Sequence, residues 1–553
     1  MAELEISRRR FLAGLGAGAS TLAFGGLPRA GAASLLGPTL QVDLDRLPTS
    51  RQLARQVRDM VALGPRYTAT PAHVQFIDWI ETGFQNAGLS VSRDMFKFTQ
   101  WLAQSYSLEI LDGPGAGPVP VASYWTFSGP TGPSGVTGEL AYAGAVPFPS
   151  VSGDPLDLIS DEQAIQRSAS EAADDLRAAI AGVPGGLKGR IALIDAPIAP
   201  LMVGDLDPYL TYRQGPPLTD TDDYKRAWTT ILTMLEALVP VQQAGAAGAV
   251  VALDASAANA AGQFTPFINA LTSFPALIVD RDTGARLRQL AAGTPKTRLV
   301  LQASIAPNTA TDSLVGILDG DGSTDEVLIV NTHTDGMNAF EENAGIGLVA
   351  LARYFAGLPR SSRLNRTLVF SAVTGHFGPG LPQTQGFIND HPDLIKRAAA
   401  SLTLEHFGST EWIDDLARGY HPSGQVEFGA IFHSQTPIAA VGIESLQAAN
   451  LVRSELLRPI GDTFFGVGAA LHAAGVPSLA FIAGPNYLLS FADDGHLDKH
   501  DAKRMRREIA WSADLLTRLD QVPASVLNAG DTAVLGLQSG RSPVSGASAL
   551  PVS

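Results

Sequence analysis

Apolar positions between residues 49 and 87 recur at helical spacing. Val57, Met60 and Val61 share one face of a first helix, and Phe76, Ile77, Ile80 and Phe84 share one face of a second. Gly88 is placed to stop the second helix, and "LSVSRDMF" then reads as a strand. From about residue 125 to 305 the chain turns to Gly, Pro and Ala with short β runs: "GRIALIDAP" at 189–197, "GAAGAVVALD" at 245–254 and "FPALIVDRDTGARLRQLAAG" at 274–293. Short strands alternating with helices predict a smaller, β-rich α/β module inserted in the chain. An acidic stretch at Thr219–Asp223 reads as a solvated loop within it.

From about 312 to 520 the alternation of strand and helix becomes regular. "VLIVNT", "TLVFSAV", "AAASLTLEH" and "VPSLAFI" are continuous apolar runs, the pattern of strands covered on both faces. "GIGLVALARYFAGL" and "DAKRMRREIAWSADLLTRL" are the helices between and after them. The expected fold is α/β, a doubly wound and mostly parallel sheet covered by helices, with its site outside the carboxyl ends of the strands. The expected boundaries are a leader at 1–33, the first part of the main domain at 45–125, the insert at 126–305, the second part of the main domain at 306–522 and a loose Gly/Ser/Pro-rich tail at 523–553.

Composition narrows the function. At 553 residues the chain is too long for one core. A net charge of −15, with no Lys/Arg cluster beyond the N-terminus, argues against nucleic acid or anionic lipid and leaves a peptide or small molecule as partner. The absence of cysteine excludes disulfides, thiolate ligands and a Cys nucleophile. Ser7, Arg8, Arg9, Phe11 and Leu12, followed by a Gly/Ala-rich apolar run and a small-x-small end at Ala30–Ala32, fit a twin-arginine export leader, which predicts a periplasmic or extracellular protein.

Three of the four apolar strands end in metal-ligating residue types. His333 and Asp335 follow the first, His376 the second, and Glu405 and His406 the third, while Glu341 and Glu342 lie just beyond the first. Imidazole and carboxylate together suit Zn²⁺, or Mn²⁺ and Co²⁺ where carboxylates predominate. Asp335 could accept the second ring N–H of His333 and fix its tautomer. His406, alternating with Glu405 along a strand, is expected to point the other way as a buried core histidine. "DGDGSTDE" at 319–326 lacks the spacing of a calcium loop and reads as a polar turn, and no GxSxG elbow supports a serine nucleophile.

The order of these segments resembles the M28 metallopeptidases, which include zinc aminopeptidases and glutamate carboxypeptidase. "VALGPRYTATPAHVQFIDWIETGFQNAGLSV", "IVNTHTDG", "EENAGIGLVALARYF", "RTLVFSAVTGHFG", "LTLEHFGS", "AAGVPSLAF" and "LDKHD" follow in the family's order, with residues near 130–305 similar to a protease-associated (PA) insert. The resemblance implies a zinc-exopeptidase-like fold and hydrolysis of peptide or amide bonds with one or two zinc ions. It places His333 on the family's histidine ligand, Asp335 on the orienting aspartate, Glu342 on the bridging acid and Glu405 on a later acid ligand. Two positions depart from the pattern. The family's general base and the ligand after it fall on Gly375 and His376, and its last histidine falls on Leu488 after Tyr487. Glycine takes no proton. Glu341 is then the acid left to act as base, with His376 and His496 as substitute ligands. The competing expectation is a catalytically silent M28-like protein that uses the cleft for binding.

Overall fold

The structure, a computed structural model, describes residues 39–146, 162–199, 201–216, 224–230, 238–264, 271–434, 436–461 and 463–529. The leader, the acidic loop at 219–223 and the tail beyond 529 lie outside the described residues. Helix α1 (Ser50–Val61) opens on a capping box: the Gln52 amide donates to Thr49 Oγ1 at 3.3 Å and the Thr49 amide donates to Gln52 Oε1 at 2.8 Å. Helix α2 (Pro71–Asn86) has Thr70 as its cap and proline at its first turn, where the missing N–H costs nothing. Helix α2 buries the stripe its spacing marks, Phe76, Ile77, Ile80 and Phe84, whereas α1 buries Val57 and Met60 together with Leu53 and leaves Val61 half-buried. Gly88, at φ +86°, turns the chain into the first strand.

The strands are β1 (Ser90–Ile110), β2 (Val136–Ala145), β3 (Ile191–Ala196), β4 (Gly248–Leu253), β5 (Ala276–Val279), β6 (Lys296–Leu318), β7 (Val327–His333), β8 (Thr367–Val373), β9 (Ala398–Leu404), β10 (Gly429–His433), β11 (Ser454–Leu457) and β12 (Ser478–Ala483). They join in one sheet of order β5-β4-β3-β2-β6-β8-β7-β9-β12-β10-β11, with β1 paired antiparallel along β6. The β8-β7-β9-β12 core is parallel, as its continuous apolar runs require. Helices α3 (Ala344–Ala356) and α4 (Ala502–Asp520) are buried against it.

Strand β6 is the hinge of the architecture. Its first residues, Lys296–Leu299, pair with β2, and Leu314–Leu318 pair with β8, so one 23-residue strand carries two parallel half-sheets. The half formed by β2–β5 has apolar clusters of its own, built around Ile194, Val251 and Ile278 on one face and Leu193, Val250 and Leu277 on the other. Alternate residues of each strand supply the two faces. The middle of the chain does not stay there, however. Leu210–Gln214 pairs antiparallel with β11 at the far edge of the main sheet, and Ala227–Thr230 packs beside Asn486. No helix among the described residues is long and apolar enough to cross a membrane.

Candidate metal centre

Strands β8, β7 and β9 are neighbours and run parallel, so His333, the residues after Val373 and the residues after Leu404 emerge side by side. The ring centroids of His333 and His376 lie 4.2 Å apart, and those of His333 and His406 lie 6.0 Å apart. His333, Glu341 and His376 form one group of converging donor atoms, and His333, Glu405 and His406 form a second that shares His333. His376 Nε2 is 3.3 Å from Glu341 Oε1, His406 Nε2 is 3.6 Å from Glu341 Oε2, and His333 Nε2 is 3.8 Å from Glu405 Oε2. Two ligands on tetrahedral zinc bonds of about 2.0–2.1 Å stand roughly 3.3 Å apart. The observed spacings are those of a shell that a small cation would draw together.

The tautomers point the same way. His333 Nδ1 donates to the Asp335 carbonyl at 2.9 Å, and His406 Nδ1 donates to the Ala483 carbonyl at 2.7 Å. A carbonyl oxygen only accepts, so in both rings Nε2 is left with its lone pair. Burial pushes both imidazoles down, His406 to about 3, so they are neutral, the form that binds metal. Neither Nε2 has a hydrogen-bond partner, and neither has Glu341 Oε2, although all are buried. Polar atoms left in this state are costly. A cation held by His333, Glu405 and His406 would satisfy the two nitrogens, so the donor set fits one.

The carboxylates carry the same signature. Burial raises Glu341 to about 7, against the pull of His376, and it raises Glu405 to about 7 despite the Val467 amide that donates to Glu405 Oε1 at 2.9 Å. Burial alone would lower His376, but the adjoining Glu341 outweighs it and the imidazole is held up. Two buried carboxylates thus share one cationic side chain, His376.

The expected site residues separate in the structure. His333, His376, Glu341 and Glu405 come together. Glu342 does not join them: its carboxylate is paired with the buried guanidinium of Arg66, which supplies a cation from the chain itself. His496 is also elsewhere, its Nε2 2.8 Å from Ser490 Oγ. Asp335 orients the site by another route than expected. Its carbonyl, not its carboxylate, holds His333, while the carboxylate accepts the amides of Gly375, His376 and Phe377 at 3.2, 3.1 and 2.9 Å and the hydroxyl of Thr68. Asp335 thereby fixes the turn that presents His376.

His406 is buried and hydrogen-bonded as expected, yet it faces the site. Strand β9 ends at Leu404, and His406 sits at φ +61°, so the alternation that would turn it away no longer applies. Gly375 has φ +100°, and a Cβ there would meet the Leu381 Cβ at 2.5 Å. Leu381 thus packs where a longer side chain would leave the backbone. Leu488, at the second departure, belongs to an apolar cluster with Phe264, Met337 and Phe377.

Sequence reasoning missed the residues that hold the loops. Asn338 donates to the carbonyls of Tyr487, Leu488 and Ser490 and accepts the amides of Phe340 and Glu341. Asn343 bonds both backbone groups of Phe407, tying the Glu341 loop to the His406 turn. Both asparagines lie within five residues of the acids, which is the only signal the sequence offered for them.

With this geometry in hand, the chain can be set beside known proteins. No family model and no curated protein matches it. Solved structures do match. A peptidase M28 precursor from Shewanella amazonensis SB2B aligns at TM-score 0.57 and 15% identity over 86% of this chain and 96% of that one. An aminopeptidase from Aneurinibacillus sp. strain AM-1 aligns at TM-score 0.54 and 16% identity over 86% and 94%. BSAP, a zinc aminopeptidase from Bacillus subtilis, aligns at TM-score 0.51 and 16% identity over 87% and 98%. The likeness is one of fold: an α/β, exopeptidase-like sheet flanked by helices.

Proposed function

We propose that the protein is an exported, metal-dependent hydrolase of peptide or amide bonds that works with one metal ion. The observation that carries this reading is the meeting at His333 of two donor groups, His333–Glu341–His376 and His333–Glu405–His406, with two lone-pair nitrogens and a carboxylate oxygen that no hydrogen bond satisfies among the described residues. One ion is favoured over two because both donor groups share His333, whose other nitrogen is engaged by the Asp335 carbonyl. Arg66 already neutralises Glu342, the acid that the family pattern would give to a bridge. Zinc suits the three imidazoles and would supply Lewis acidity.

The chain's own residues do the rest. Asp335 holds the His376 turn and Asn338 holds the Glu341 loop, so the donors are preorganised. With the ion in the His333–Glu405–His406 group, Glu341 stays outside the ligand set beside His376 and His406 and is the acid placed to take and return a proton. The fold likeness supports a reading as an exopeptidase or amidohydrolase acting on peptides or N-acylated amino acids, with the β2–β5 half read as a PA insert and the twin-arginine motif as the protein's route of export.

A second reading, a silent binding protein, draws on Leu381 packed over Gly375 at the family's base position. Metal analysis with a hydrolysis panel separates the two. Zinc at one equivalent, lost in His333→Ala, together with amide hydrolysis lost in Glu341→Gln, supports the hydrolase. Bound zinc with no hydrolysis across peptides and amides sinks the hydrolase and leaves the binding protein, and protein that takes up no zinc and melts unchanged in chelator likewise favours the binding protein.

A further inference from the structure

Beside the donor cluster lies a cleft of about 200 Å³ walled by rings: Tyr67, Phe98, Trp101, Tyr124, Phe264 and Phe377. Phe377 follows His376 directly, and Thr68, another wall residue, bonds the Asp335 carboxylate that fixes the His376 turn. The cleft therefore abuts the chemistry. Its walls come from the loop after α1, from β1, and from Tyr124 and Phe264 in the middle of the chain.

Among the described residues no charged side chain lines it, and its polar groups are engaged within the protein. The Trp101 indole N–H donates to the Ser128 carbonyl at 3.1 Å, the Gln100 amide donates to the Thr68 carbonyl at 2.8 Å, and the hydroxyls of Tyr67 and Tyr124 interact with each other. What remains is ring surface. Tyr67 stacks on Phe264 at 5.0 Å, and Phe264 meets Phe377 at 5.4 Å. The position of Phe264 is set by its backbone: its amide donates to the Leu489 carbonyl at 2.7 Å, and the Phe491 amide donates to the Gly262 carbonyl at 2.9 Å. Tyr67, Leu102, Ala103 and Tyr124 are only half-buried, so the cleft meets solvent. An apolar cavity of about 150 Å³ is enough to bind benzene.

We infer that this cleft is a recognition pocket for an uncharged aromatic group of the substrate, such as the side chain of phenylalanine or tryptophan beside the scissile amide. The inference rests on the hydrolase reading for the word substrate, but the pocket is tested without turnover. N-acetyl-phenylalaninamide, N-acetyl-alaninamide and N-acetyl-lysinamide are titrated into the zinc-loaded full chain carrying Glu341→Gln, followed by ligand-observed NMR. The aromatic amide binds about tenfold or more tighter than the other two, the advantage expected for burying a ring in place of a methyl.

Ala103→Trp, which fills the cleft from β1, abolishes that preference while the melting temperature holds. If that variant fails to fold, Tyr67→Leu, which removes one wall, reduces the preference severalfold instead. Equal binding of the three amides, or an aromatic preference unchanged in a folded cleft variant, overturns the inference. Hydrolysis by the unsubstituted chain is measured in parallel. An aromatic preference without hydrolysis sinks the hydrolase and leaves the pocket, whereas hydrolysis without aromatic preference sinks only the pocket.

Discussion

Arg226, Glu427, Glu411 and Arg453 form a cluster of sequestered charge where the Ala227–Thr230 turn meets the main sheet, and there each carboxylate faces a guanidinium. Arg226 Nη2 is 2.7 Å from Glu427 and 3.6 Å from Glu411, and Arg453 is 2.9 Å from Glu411. At the ends of β7, β8 and β9, two buried carboxylates have imidazoles as their ion-pair partners, and burial holds two of those three imidazoles neutral. Removing charge from water is costly in both places. The first cluster offsets the cost with its own arginines, whereas among the described residues the second has one cationic side chain, the His376 imidazole held up by Glu341, for two carboxylates. The contrast separates a cluster that is neutralised by its own arginines from the one on which the proposed cation site rests. Glu342, one residue from Glu341, is paired with Arg66 and stands in neither donor group.

The contrast can be broken most forcefully at the first cluster. Arg226→Met leaves Glu427 buried without its partner and should cost about 3–5 kcal/mol in urea unfolding. Zinc stoichiometry of the protein that remains folded should stay unchanged. The second cluster should respond to metal instead. Zinc at a hundred times its Kd should raise the unfolding free energy by about 2.7 kcal/mol. That gain should vanish in His333→Ala and persist in Arg226→Met. A chain indifferent to zinc would erase the distinction between the clusters.

The sequence made the scaffold legible because periodicity and composition record burial. Continuous apolar runs marked β7, β8, β9 and β12, and the spacing of Phe76, Ile77, Ile80 and Phe84 marked one helix face. Strand ends likewise pointed to His333, His376 and Glu405. Facing was harder to read. Glu341 and Glu342 are identical in type and adjacent, and which one turns to the imidazoles depends on Arg66, 276 residues from Glu342 along the chain. His406 was assigned outward by strand alternation, which fails once a residue adopts φ +61°. The crossing of Leu210–Gln214 to the far edge left no local sign, because its partner, β11, lies more than 200 residues further on.

Gly375 sharpens the comparison from another side. If the second cluster lacks a base at this turn for steric reasons, Gly375→Ala should destabilise by about 1–3 kcal/mol through its positive φ and the contact with Leu381. Adding Leu381→Ala should restore part of that loss, since it removes the contact but not the backbone strain. A Gly375→Ala chain as stable as the parent would mean that the turn tolerates a side chain and that glycine there is not a packing requirement.

The smallest expected effect tests whether burial, rather than the number of ion pairs, separates structural charge from surface charge. Arg177 and Asp174 make a close pair on the helix Glu162–Ala181, with side chains 45% and 69% exposed. Water already solvates both groups, and the pair must immobilise two mobile side chains to form. Arg177→Ala should therefore shift urea unfolding by less than about 0.5 kcal/mol. A loss approaching that of Arg226→Met would show that exposed pairs weigh as much as buried ones in this protein. The inference from unmatched buried carboxylates to a bound cation would then lose its energetic basis.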